Sequence, residues 1–203
     1  MTTDLDQDEL NSHTWRYYAW DKFFNIQQIK ELNELIDKEY NGFEDVKLAT
    51  DDYPDGTIVK NISTVKVISY GKIKRLVLNL INNAYYCANF DFGYTTFGPY
   101  NQEVLNFNIY TSDTKDYYAW HTDSSRSPMY DMKLTLLINL STEPYEGGEF
   151  QLGEVQDKYT GASILNEPGS ALMFKSHIRH RVLPVTSGTR KTLTMFIHGP
   201  KFR

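Results

Sequence analysis

Two side chains in the stretch YYAWHTDSS, residues 117–125, could do chemistry together: His121 and Asp123. Residues i and i+2 of a β-strand point to the same side, so this imidazole and carboxylate can reach one point. Alone, the pair reads more readily as an exposed polar pair than as part of a metal site. A third candidate comes from FKSHIRHRVLPVTSGTR, which carries His177, His180 and Arg190. His-x-Asp followed about sixty residues later by another histidine is the sequence form of a two-histidine, one-carboxylate facial triad. Such a triad occupies one face of an octahedron, leaves the other positions open and suits non-haem Fe(II). His177 and His180 compete for the third place; their odd spacing puts them on opposite faces of a continuous strand.

Two neutral imidazoles and one carboxylate leave the iron positively charged, which favours an anionic, chelating co-substrate. Arg190 then has a use, because a guanidinium fork grips a carboxylate through two hydrogen bonds and keeps its charge inside a pocket. A dicarboxylate such as 2-oxoglutarate could chelate the metal at its 2-oxo acid end and be clamped by Arg190 at the other. The alternative for Arg190 is a solvated charge following the TSG turn. The pattern downstream bears on this choice. Thr192, Thr194 and Phe196 share the face of Arg190, whereas Leu193, Met195 and Ile197 share the other. The apolar side is expected to pack on a helix, leaving the mixed side for a lumen.

The elements that must position these groups fall into two textures. NIQQIKELNELIDKEYNG has Ile26, Ile29, Leu32, Leu35 and Ile36 at helical spacing, with Asn25 as N-cap and Gly42 after the end. YGKIKRLVLNLINNAYYCANF places Ile73, Leu76, Val77, Leu80, Ile81 and Ala84 on a second stripe. Between them, ATDDYPDGTIVKNISTVKVISY reads as a loop followed by a strand. From about residue 102, short β-rich runs alternate with Gly, Pro, Ser and Asp, the texture of a sandwich or barrel. The expected architecture is one domain, residues 1–203, mainly β with bracing helices: a helical support over about 20–90 and a β-core over about 100–198.

Composition narrows the function. The chain has 203 residues and a net charge of −5, which offers no electrostatic footprint for nucleic acid or an anionic membrane. One cysteine, Cys87, excludes a disulfide framework and a Cys-rich metal site, and reads as a small buried residue of the second helix. The acidic N-terminus lacks the apolar segment of a secretory signal, and no window is long and apolar enough to span a bilayer. A cytoplasmic protein is expected, with no nucleic-acid or membrane partner.

Taken together, YYAWHTD, YEGGEFQL and HRVLPVTSGTR resemble the iron- and 2-oxoglutarate-dependent dioxygenases of the prolyl 4-hydroxylase type, compact bacterial and phage members included. The resemblance runs over roughly residues 60–198 with the order and spacing of the three motifs intact. It implies a double-stranded β-helix, or jelly roll, with Fe(II) at its open end held by His121, Asp123 and His180. It assigns the distal place to His180, which leads directly into an RV-x-PV run, and the co-substrate clamp to Arg190. Tyr110 and Tyr118 match pocket tyrosines of relatives, Tyr110 as a hydrogen-bonding partner of 2-oxoglutarate. Leu137 stands where some relatives carry another co-substrate-binding tyrosine. The implied activity is hydroxylation of an unactivated carbon, with peptidyl proline in a protein or peptide the favoured target, O2 the oxidant, succinate and CO2 the products and L-ascorbate the expected reductant. Rival readings are the same chemistry on another residue or a small molecule, a non-catalytic metal-binding jelly roll, and a cupin-like isomerase, which would use more histidines and lack the arginine.

Other residues receive plainer readings. His13 and His198 have no ligand context, and His177 is otherwise a rim or surface residue. Gly147 and Gly148 supply an unusual turn, with Glu149 exposed or hydrogen-bonded at the rim. Trp120 alternates away from His121 and is expected in the core. DDYPDGT and SSRSPMYD are candidate lids.

Overall fold

A computed structural model describes residues 17–44, 47–49, 58–124, 127–153 and 161–202. Helix α1 (Ile26–Glu39) begins at Asn25, whose side chain accepts from the Gln28 backbone N–H at 3.0 Å while Gln28 accepts from the Asn25 N–H at 2.9 Å. This reciprocal capping box satisfies two otherwise orphaned donors. Ile29, Leu32 and Ile36 are buried, as the spacing predicts. The helix ends at Glu39, and Gly42 opens a strand instead of capping it. Helix α2 (Tyr70–Phe90) coincides with the predicted stripe and buries Ile73, Val77, Leu80, Ile81 and Ala84. Cys87 is buried on it, and burial pushes its thiol up to about 12.

Both helices pack on one face of a large antiparallel sheet. Its members are β1 (Tyr17–Trp20), β2 (Gly42–Phe43), β5 (Thr64–Ser69), β6 (Val104–Thr111), β8 (Tyr130–Asn139), β11 (Ala171–Lys175) and β14 (Thr189–Pro200), in the order β1-β11-β8-β14-β6-β5-β2. Leu193, Met195 and Ile197 of β14 join the helix residues in one core, together with Leu134, Leu136 and Ile138 of β8. The expectation that the apolar side of β14 meets a helix is met. The smaller sheet contains β3 (Lys47–Ala49), β4 (Ile58–Asn61), β7 (Tyr117–His121), β10 (Phe150–Leu152) and β12 (His180–Val182), in the order β10-β12-β7-β4-β3. A short pair, β9 (Glu146–Gly147) with β13 (Val185–Ser187), closes one corner. A second core lies inside the sandwich and includes Val65, Tyr110, Leu137, Phe150, Phe174 and Val182. Two facing antiparallel sheets with helices on the outside of one form the expected jelly roll.

Three local expectations change. Strand β1, which borders the large sheet by pairing Tyr17–Trp20 with β11, falls in a stretch whose alternating aromatics drew no strand reading. Trp120 is half-buried, belongs to neither core and lies beneath the Arg181 guanidinium at 4.6 Å, on the outside of the small sheet. Tyr130 and Asp131, read as part of a loop, open strand β8, and Ser125 and Arg126 of that loop lie outside the described residues. DDYPDGT and His13 also lie outside them.

One buried carboxylate ties the sheets together just before the strand that carries His121. Asp116 is fully buried and accepts from the backbone N–H of Ser63 at 2.7 Å and of Thr111 at 2.8 Å, and from the hydroxyls of Ser63 and Thr114. Burial alone would raise its pKa, but these hydrogen bonds outweigh it and hold the carboxyl below its usual range. Asp116→Asn is therefore expected to cost roughly 1–3 kcal/mol at neutral pH, since an amide cannot accept from every one of these donors. A carboxylate with a depressed folded pKa stabilises above its unfolded value of ~3.9 and loses that contribution as pH falls through the folded pKa. The stability difference between wild type and Asp116→Asn in urea melts should narrow below about pH 4; a gap that stays constant down to strong acid would contradict this account.

Candidate metal centre

Strand register brings the two histidines together. His180 of β12 sits directly opposite His121 of β7, and their rings lie 4.1 Å apart. Each ring is oriented by a carbonyl two residues back in its own chain: His121 Nδ1 meets Ala119 O at 2.7 Å and His180 Nδ1 meets Ile178 O at 3.0 Å. A carbonyl only accepts, so each Nδ1 carries the proton and each Nε2 presents a lone pair. Burial pushes His121 down to about 4, with His180 adding to the effect and Asp123 opposing it. Burial likewise pushes His180 down to about 4. Both imidazoles are neutral near pH 7, the form that binds metals.

Asp123 is held differently from the expectation that it shares a strand with His121. Strand β7 ends at His121, and Asp123 is fixed by its own N–H donating to Ser176 O at 2.9 Å. Its Oδ2 accepts from Thr135 Oγ1 at 2.7 Å, and Thr135 in turn contacts Ser176 Oγ at 3.0 Å. The carboxylate still faces both rings, with Oδ1 3.7 Å from His121 Nε2 and Oδ2 3.4 Å from His180 Nε2. One ligand atom from each of the three residues lies within 4.8 Å of the others. Two bonds of about 2.1 Å at a right angle would span ~3 Å, so small closures would complete one octahedral face. Burial pushes the Asp123 carboxyl up, against the pull of His121 and Thr135. A largely buried carboxylate between two neutral imidazoles is a cost that a bound dication would reverse. The residues fit the metal.

A bulge completes the face. His180 pairs with His121 and Val182 with Tyr118, so the single residue Arg181 of β12 opposes two of β7, Ala119 and Trp120. The extra residue breaks strict alternation and puts Tyr118 on the side of His121. The two rings stack at 3.5 Å with an interplanar angle of 11°.

His121, Asp123, His180, Arg190, Tyr110 and Tyr118 all line one cavity of about 410 Å³. Arg190 is 1% exposed, pairs in register with Tyr110 across β14 and β6, and lies 5.3 Å from the Tyr110 ring. Its Nε has no hydrogen-bond partner among the described residues. A buried, unsatisfied guanidinium nitrogen facing a cavity calls for an anion. The Gly147–Gly148 turn takes part in this. Gly148 has φ +67°, and a Cβ there would lie 2.9 Å from Arg190 Cδ, so the glycine makes room for the guanidinium stem. Glu149 is exposed. Burial pushes the Tyr110 phenol up to about 12, leaving it a neutral donor. Leu137 is buried and also lines the cavity.

His177 is exposed, turns its ring toward Phe202 and is not part of the cluster. His198 pairs with Glu103 at 3.0 Å. Sequence reasoning missed Thr135, Asn106, Asn108, Lys60 and Glu44, all of which line the cavity. Asn106 and Asn108 were readable, because they alternate with Leu105, Phe107 and Ile109 and lie on the Tyr110 face of β6. No local pattern marks Lys60 or Glu44.

Residues 105–198 match the sequence profile of the 2OG-Fe(II) oxygenase superfamily. The match covers a little under half of the chain and shows a likeness of the jelly-roll core to that superfamily. Members of it use Fe(II), 2-oxoglutarate and O2, and the His-Asp-His cluster lies within the matched residues. A PKHD-type hydroxylase of Psychrobacter sp. strain PRwf-1 is 36% identical over 79 residues, which cover 39% of this chain and 29% of that one. The chain thus spans less than half the length of the curated relatives it matches. Among solved structures, a Pseudomonas putida prolyl-4-hydroxylase superposes with a TM-score of 0.64 at 16% identity, covering 96% of this chain and 97% of that one. A Trichoplax adhaerens prolyl hydroxylase, solved with a peptide fragment of the oxygen degradation domain of hypoxia inducible factor, gives 0.59 at 18% identity, covering 94% of this chain and 86% of that one. These likenesses show that the shared fold extends over nearly the whole chain, α1 and α2 included. No helix of the described residues is long and apolar enough to cross a membrane.

Proposed function

We propose that this chain is an Fe(II)- and 2-oxoglutarate-dependent dioxygenase that hydroxylates an unactivated carbon, with peptidyl proline the favoured target and succinate and CO2 the co-products. The observation that carries the reading is the meeting of the His121–Asp123–His180 cluster and the buried, under-partnered Arg190 in one cavity. In it, His121 Nε2, His180 Nε2 and an Asp123 oxygen would hold the iron. Thr135 orients the carboxylate, and Ala119 and Ile178 fix the imidazole tautomers. Arg190 binds the far carboxylate of 2-oxoglutarate, with the neutral Tyr110 phenol beside it as a donor, and the Tyr118 ring braces His121. Bound Fe(II) supplies the redox chemistry that couples oxidative decarboxylation of the co-substrate to hydroxylation. The two sheets exclude bulk water from the reacting groups, and L-ascorbate serves as the reductant. The peptide in the Trichoplax neighbour and the prolyl hydroxylases among the structural neighbours support the choice of target.

Anaerobic addition of Fe(II) and 2-oxoglutarate is expected to give a weak visible charge-transfer band. In air, proline-containing peptides should then stimulate succinate release and gain the mass of one oxygen. Absence of both the band and 2-oxoglutarate binding rules out the oxygenase reading. A band with oxygen gained by another class of compound keeps the chemistry and removes proline.

A further inference from the structure

The cavity has a second polar wall that neither the metal nor the dicarboxylate clamp uses. Lys60 of β4 is 8% exposed and pairs in register with Tyr118. Its ammonium lies 5.8 Å from the centre of the Tyr118 ring, which itself stacks on His121, so the charge sits one ring away from the metal cluster. Glu44 stands at the mouth, its side chain 44% exposed, with Oε2 3.8 Å from Lys60 Nζ. Asn106 of β6 holds the same oxygen by donating to it at 2.9 Å. Asn108, two residues further along that face, donates to Thr194 Oγ1 at 3.0 Å. A cation and a carboxylate are thus fixed side by side on the wall, the cation inside and the carboxylate toward solvent.

Charge bookkeeping then indicates what the remaining space accepts. Of the groups lining the cavity, Lys60 and Arg190 are formal cations and Asp123 and Glu44 formal anions, while both histidines and both tyrosines are neutral. These charges cancel, and a divalent metal with a dicarboxylate adds another cancelling pair. A substrate with a net charge beside the reacting carbon would bring an unbalanced charge into buried space, which is costly. A peptide main chain brings none, yet it offers a carbonyl acceptor and an N–H donor that match Lys60 and Glu44.

Resting on the oxygenase reading above, we propose that Lys60 and Glu44, the latter held by Asn106, are the substrate-binding residues of the site. Lys60 donates to a main-chain carbonyl of an uncharged peptide segment, and Glu44 accepts from a neighbouring N–H.

The test uses a library of acetylated, amidated proline-containing hexapeptides, with free L-proline in parallel. Succinate release identifies the most stimulating peptide, which is then titrated calorimetrically into protein loaded with Mn(II) and 2-oxoglutarate, where no turnover occurs. Lys60→Met is expected to weaken peptide binding by roughly tenfold or more, as loss of a charged hydrogen-bond donor does. Glu44→Gln should weaken it by a smaller factor, and Lys60→Arg should restore part of the loss. Affinity for 2-oxoglutarate should change less than about twofold in all three, since none touches the Arg190 clamp. Unchanged peptide binding in Lys60→Met and Glu44→Gln overturns the proposal. So does an equal loss of peptide and 2-oxoglutarate, or stimulation by free L-proline with none by any blocked peptide. Wild type that binds neither metal nor 2-oxoglutarate removes the parent reading as well.

Discussion

Replacing His180 with alanine is expected to abolish Fe(II) binding, while His177→Ala leaves it intact. His180 offers one of three candidate ligand atoms, whereas the His177 ring is exposed and turned toward Phe202. Losing an outer-shell partner of a metal ligand typically costs roughly 10–100-fold in metal affinity, and losing a ligand itself should exceed that. Removing the imidazole would also leave Asp123 facing His121 alone, with its Oδ2 still tied to Thr135. Equilibrium dialysis against Fe(II) under anaerobic conditions, with circular dichroism to verify folding, reads the result. Retained affinity in His180→Ala together with loss in His177→Ala would exchange the two residues and require a different register between β7 and β12.

The second large effect concerns the co-substrate. Arg190→Ala is expected to weaken 2-oxoglutarate by about 2–3 kcal/mol, the size of a charge-assisted, two-pronged contact, while iron affinity changes little. The separation of the two effects follows from the fold. Arg190 stems from β14 in the large sheet, and the histidines come from β7 and β12 in the small one. Titrating 2-oxoglutarate into the Mn(II)-loaded protein measures the first quantity and metal dialysis the second. Equal losses would mean that Arg190 supports the whole cavity instead of clamping one carboxylate. Because the buried arginine touches Gly148 and Tyr110, Arg190→Met, which keeps much of the stem volume, separates lost charge from lost packing.

Much of this was legible along the chain. The α2 stripe, the Asn25 cap and the two faces of β14 follow from periodicities of 3.6 and 2, which a sequence carries openly because they concern neighbours within one element. The residue types of the candidate metal cluster and of the proposed clamp stood out for a related reason: a facial triad needs two imidazoles and one acid, and few side chains meet that need. The division of labour between His177 and His180 was less open, since the choice depended on resemblance and on an assumed straight strand.

The remainder was decided by pairings between distant segments. The bulge in β7 that turns Tyr118 onto His121 exists because β12, some sixty residues later, sets one residue against two. Asp123 faces the rings although its strand has ended, because Ser176 and Thr135 hold it from two other elements. Trp120 lies outside the core because Arg181 of the neighbouring strand covers it. Lys60 and Glu44 entered the cavity without any local mark, since a lysine and a glutamate look the same in sequence on a solvated edge or in a buried wall. Side-chain identity and alternation are local properties of the chain; register, bulges and the partners of a buried charge belong to the assembled sheets, and those become defined only when both sheets close around the site.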